Sequence, residues 1–135
     1  MEGRDPLSPD EYVLRRVTAF KYDQNSSFPI PPEHFNPRDK DTDGISMFQA
    51  SVFTPEQLAD LNNKHGFLIA KFTVKELQDI GLTVEPTNGE GHVSISELSY
   101  ANSKNDPNGV DLLKNKLAKL AAERIVLRTA PKLPR

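Results

Sequence analysis

Tyr12-Val13-Leu14-Arg15-Arg16-Val17-Thr18-Ala19-Phe20 is the segment from which the fold can be read. β-Branched and aromatic residues dominate it, and such side chains suit a pleated, half-buried surface better than a helix. Alternation with period two places Tyr12, Leu14, Arg16, Thr18 and Phe20 on one face and Val13, Arg15, Val17 and Ala19 on the other. Each face therefore carries one arginine. At least one guanidinium must reach the strand edge, find an acid or point into a polar site. Just upstream, Ser8-Pro9-Asp10-Glu11 reads as a single helical turn: a capping hydroxyl, proline at the first position, then acids at the positive dipole end.

Downstream the chain changes character. The segment 23–43 holds four of the eleven prolines (Pro29, Pro31, Pro32 and Pro37), which withhold ladder donors and fix φ. A loop of this length inside a domain is commonly either functional or disordered. Phe28, Ile30 and Phe35 are expected to pin it down as apolar anchors. Ile45-Ser46-Met47-Phe48 follows as a short strand. Thr54-Pro55-Glu56-Gln57 is a capping box opening a helix to about Lys64, with Gly66 as its stop. Phe67–Phe72 reads as a central strand, and Thr73-Val74-Lys75-Glu76 repeats the capping-box logic for a helix ending at Gly81. Leu82–Val84 and His92–Leu98 are further strands around a turn at 86–91. A helix over 110–123 carries the apolar stripe Val110, Leu113, Leu117 and Leu120, widened by Ala121. Ile125–Leu127 closes the sheet.

The expected fold is α+β. One domain covers 1–127, with a mixed or antiparallel sheet of about five short strands and two or three helices packed on one face. A basic, flexible tail follows at 128–135. The chain has 135 residues, one domain's worth, and no apolar run near the ~20 residues of a bilayer span. The first residues lack the basic-then-apolar order of a secretory signal, and there are no cysteines, so a cytoplasmic setting is expected. The formal net charge of -2 hides a polarity. Residues 1–102 carry nine Lys/Arg against sixteen Asp/Glu, and residues 103–135 carry eight against three. Such a basic end docks on phosphates or an acidic partner, or is simply a solvated helix face.

Candidate sites follow from residue chemistry. Asp39-Lys40-Asp41-Thr42-Asp43-Gly44 matches the opening of a calcium loop, but Ala50 stands where its bidentate acid belongs. Asp39, Asp41 and Asp43 are thus weak metal ligands, and an acidic turn before a strand is the better reading. Of the three histidines, His65 suits a helix end, His34 lies in the proline-rich loop, and His92 is a candidate base if it faces a cleft. Gly89-Glu90-Gly91 precedes a strand and reads as a hairpin turn rather than a phosphate loop. Arg16, Ser46 and Glu97 fall on successive segments in an order that resembles ADP-ribosyltransferase-like proteins. That resemblance implies an NAD-gripping first strand and a ribose-orienting late glutamate.

The run Val13-Leu14-Arg15-Arg16-Val17, the Phe28–Phe35 loop and Asp43-Gly44-Ile45-Ser46 are together similar to a group of small bacterial proteins without a transferable activity. The resemblance implies a bacterial origin and a shared surface around Arg15, Arg16, Asp43 and Ser46.

With no catalytic motif, the sequence leans away from an enzyme. It favours a non-enzymatic accessory module binding a protein partner through the 23–43 loop or the basic C-terminal helix. Arg15, Arg16, Phe28 and Phe35 would carry the first surface, and Lys114, Lys119 and Arg128 the second. The alternative is a small nucleotide- or NAD-directed enzyme using Arg16, Ser46, His92 and Glu97. Nucleic-acid binding by the basic end is less favoured. No cofactor and no membrane are expected, and the oligomeric state stays open.

Overall fold

In the computed structural model, which describes residues 7–18, 25, 29–58, 67–86 and 91–128, the arginine-bearing segment is a strand, β1, spanning Tyr12–Thr18. It sits inside a six-stranded sheet of order β4-β5-β2-β1-β3-β6. The other strands are β2 (Ile45–Gln49), β3 (Phe67–Thr73), β4 (Val84–Pro86), β5 (His92–Ile95) and β6 (Ile125–Arg128). Every neighbouring pair is antiparallel. The helices are α1 (Pro55–Leu58), α2 (Val74–Asp79), α3 (Tyr100–Asn105) and α4 (Pro107–Ala122).

Period two sorts the sheet residues into two layers. Val13, Val17, Ile45, Met47, Phe72 and Ile95 are buried with Val110, Leu117, Ala118 and Ala121 of α4, while Leu113 and Leu120 pack at the margin. The apolar stripe of α4 is thus the roof of the main core, the buried Val110 and Leu117 each contributing about 1.5–3 kcal/mol. Val74 and Leu77 of α2 join the same core. On the other face, Leu14 and Ile69 are buried with Leu58 of α1, and Phe48, Phe53 and Leu127 pack around them. Among the described residues, helical cover therefore lies on both faces, with α1 beneath.

Local chemistry sets the ends of these elements. Both capping boxes close. Gln57 N–H donates to Thr54 Oγ1 at 3.1 Å and Thr54 N–H to Gln57 Oε1 at 2.7 Å. Glu76 N–H donates to Thr73 Oγ1 at 3.1 Å and Thr73 N–H to Glu76 Oε1 at 2.9 Å. Gly44 adopts φ +117°, and a Cβ there would lie 1.9 Å from the backbone oxygen of Ile95. Only glycine lets β2 start so close to β5.

Three expectations need correction. Ser8–Glu11 is a turn, not a helical one: the carbonyls of Pro9 and Glu11 accept from Lys75 and Val74, which spends them on the start of α2. β5 stops at Ile95, and Ser96–Leu98 is a 3-10 turn. The last helix begins at Pro107, capped by Asp106, three residues earlier than its apolar stripe. The expected helix beyond Leu58, with His65 and Gly66, falls outside the described residues, as do Phe28, the 87–90 turn and the tail after Arg128. Among the described residues no helix is long and apolar enough to cross a membrane.

Candidate functional site

β1 pairs with β3 along its whole length, from Tyr12↔Thr73 to Thr18↔Phe67. Its pairing with β2 covers only Val13↔Gln49 and Leu14↔Phe48. Beyond Leu14 the two strands part, and the arginine pair stands where they separate. Continued register would set Arg16 opposite Ser46.

Arg15 fills the opened seam. Its Nη1 donates to the carbonyl oxygen of Ser46 at 2.7 Å and its Nη2 to that of His34 at 3.0 Å. The guanidinium lies 5.6 Å from the centroid of the Phe35 ring, and Nε is buried without a hydrogen-bond partner. The side chain therefore replaces ladder bonds between β1 and β2 and ties the Pro32–Phe35 turn to the sheet. Burial lowers its pKa to about 10; nearby Asp41 works the other way, while Arg38 and Arg16 press it lower. It stays protonated at neutral pH, by about a thousand to one.

Arg16 leaves from the opposite face. Its Nη1 donates to the Leu58 carbonyl at 2.9 Å, and its guanidinium lies 4.9 Å from the Phe67 ring centroid. Both arginines thus find carbonyls and aromatic rings, and both border one cavity of about 650 Å³. The rest of its wall comes from Ser46, Phe48 and Phe67 of the sheet and from the loop residues Glu33, His34, Asn36, Arg38, Lys40 and Asp41. Four permanent cations face two carboxylates. A second cleft of about 530 Å³, beside Tyr12 and Val126, differs in having its charges matched. There Arg124 Nε meets Glu76 Oε2 at 2.7 Å, and Lys71 Nζ lies 4.4 Å from the Tyr12 ring centroid.

Ser46 is held from behind as well. Its Oγ and His92 Nε2 are 2.7 Å apart, a diagonal contact across the Ser46↔Ser94 and Phe48↔His92 pairs of β2 and β5. The imidazole packs edge-on to Phe48, with centroids 5.7 Å apart.

Of the four residues named for an enzymatic site, Arg16 and Ser46 border this cavity, and His92 joins it through its contact with Ser46. Glu97 does not: its Oε1 accepts from Thr83 N–H and its Oε2 from the Thr83 hydroxyl, each at 2.6 Å. It braces β4 against the turn after β5, so the late glutamate implied by the ADP-ribosyltransferase-like resemblance is absent from this wall. Phe35 has no exposed surface. It shapes the cavity from beneath Arg15 and offers nothing for a partner to touch. Lys114 pairs with Asp111 at 3.0 Å and donates to Asn36 Oδ1, bracing the loop against α4. Lys119 stands about 140° around the helix from it, so the two do not share a face; Arg128 lies on edge strand β6.

In the calcium-like segment, Asp41 Oδ2 accepts the Arg38 N–H at 2.8 Å and closes a turn, while Asp39 and Asp43 are exposed. Among the described residues no three His, Asp or Glu side chains are disposed to hold a metal. Sequence reading missed Arg38 and Lys40, because their charges are diluted by Asp39, Asp41 and Asp43 in the same run. A count of lysine and arginine alone within the proline-rich loop would have raised them. Comparison with protein-family models, with curated proteins and with solved structures finds no match to this chain.

Proposed function

We propose that the chain is a binding module whose recognition site is the cavity over the opened β1–β2 seam. Its ligand is an acidic segment of a partner protein. One observation carries this reading: Arg16, Arg38 and Lys40 border the same cavity as the already charged Arg15, with only Glu33 and Asp41 against them. Arg15 is engaged by Ser46 and His34 and acts as scaffold. Arg38 and Lys40 are exposed on the loop and Arg16 on the sheet, so their donors are within reach of an incoming carboxylate. The proposal keeps the loop half of the surface expected from sequence and leaves the C-terminal basic face aside.

An oligoglutamate peptide is the direct probe. Isothermal titration calorimetry should detect binding at low ionic strength that weakens steeply with added salt. The double variant Arg38→Gln/Lys40→Gln should bind about tenfold or more weakly, at roughly 1 kcal/mol per lost rim charge. Absence of binding at low salt, or equal affinity in the double variant, overturns the proposal.

A further inference from the structure

We infer that Ser46 is a nucleophile activated by His92, and that the cavity acts on an acyl ester carried by an anionic molecule. The inference rests on the same cavity as the binding reading, but on different atoms of it. Ser46 belongs to the cavity wall, and His92 Nε2 stands 2.7 Å from its Oγ. This is the hydrogen-bond reach a general base needs before it can take the proton of an attacking hydroxyl. Ser46 is fixed twice, since its backbone oxygen is also clamped by Arg15 Nη1 at 2.7 Å. A nucleophile held by both its main chain and its side chain loses little freedom on reaction. Arg16, held by the Leu58 carbonyl and the Phe67 ring, borders the same cavity and adds its positive charge to the field around Ser46. The cations of the loop select a substrate with its own negative charge.

The chemistry balances with water as the only co-reactant. Ser46 Oγ attacks the ester carbonyl carbon as His92 Nε2 accepts the hydroxyl proton. The tetrahedral adduct collapses, the carbon–oxygen bond to the alcohol breaks, and His92 returns the proton to the departing alkoxide. Water then attacks the acyl-Ser46 ester, giving up a proton to His92. The carboxylic acid leaves, and Ser46 regains its proton.

A fluorophosphonate tests the nucleophile without any knowledge of the natural ester. Ser46 Oγ would displace fluoride at phosphorus and retain the phosphonyl group, which intact-mass and peptide mapping locate. The wild-type chain should carry one adduct, on Ser46, and Ser46→Ala none. His92→Ala should react about a hundredfold more slowly or worse, and added imidazole should restore much of the rate. Circular dichroism of each variant verifies that it is folded. A wild-type chain that stays unmodified at Ser46, or a His92→Ala chain labelled at the wild-type rate, overturns the inference. The readout is a covalent mass with no peptide present, so failure here and failure of oligoglutamate binding are separate results.

Discussion

Arg15 Nη1 donates to the carbonyl oxygen of Ser46 at 2.7 Å, across a seam whose strand pairing ends at Leu14↔Phe48. A side chain thus does the work of a sheet ladder, and the sheet gains a notch without losing its continuity. The second nitrogen reaches His34, so the same guanidinium sets the floor of the cavity and the position of the loop above it.

Removing that guanidinium should therefore cost stability as well as shape. Arg15→Met relieves the burial of a charge but leaves the Ser46 and His34 carbonyls without their donors. The expected loss is about 2–4 kcal/mol in urea unfolding. Arg15→Lys should recover less than half of it, because an ammonium lacks the planar fork that spans two carbonyls. Wild-type stability in Arg15→Met would show that the seam is held by something else.

Gly44→Ala tests the junction of β2 and β5. The new Cβ meets Ile95 backbone, which cannot rotate away, at a φ of +117° that L residues rarely adopt. A loss of about 3 kcal/mol or more, read from the urea midpoint, is expected. Because β5 carries His92, the variant should also slow fluorophosphonate labelling of Ser46.

Glu76 links pH to stability. Burial alone would raise its pKa, but the Thr73 N–H and then Arg124 favour the carboxylate more, and the net shift is downward from 4.5. A depressed folded value means stabilisation that is full above the unfolded pKa and fades as pH falls through the folded one. Glu76→Gln should cost about 1 kcal/mol near neutrality. Its stability should also fall less steeply than wild type's as pH drops below the ordinary glutamate range. Parallel acid limbs in thermal melts of the two proteins would contradict this assignment.

What could be read from sequence was local. Thr54 with Gln57, and Thr73 with Glu76, lie three residues apart, and their reciprocal bonds follow from that spacing alone. The β1 pattern and the α4 stripe were legible because period and burial agree. The α3 helix was not, since Tyr100–Asn105 buries no side chain and depends on the Ser99 cap. Ser46 and His92 were both eligible in the chain, but their contact was not legible, for a different reason. Ser46 and His92 are 46 positions apart and meet only through the register of β2 on β5. Strand register is a tertiary property, settled by which faces pack, and no short window contains it. Glu97 looked equally eligible in the chain, and only its engagement by Thr83 sets it apart.

Amide chemical shifts of the isotope-labelled chain, followed during titration with oligoglutamate, locate the ligand directly. Movement concentrated at 15–17, 33–41 and 46–48, growing to saturation and suppressed by salt, is the predicted outcome. Shifts confined to α4 and β6 around Lys119 and Arg128, with the seam silent, would place recognition on the basic C-terminal face and contradict the account.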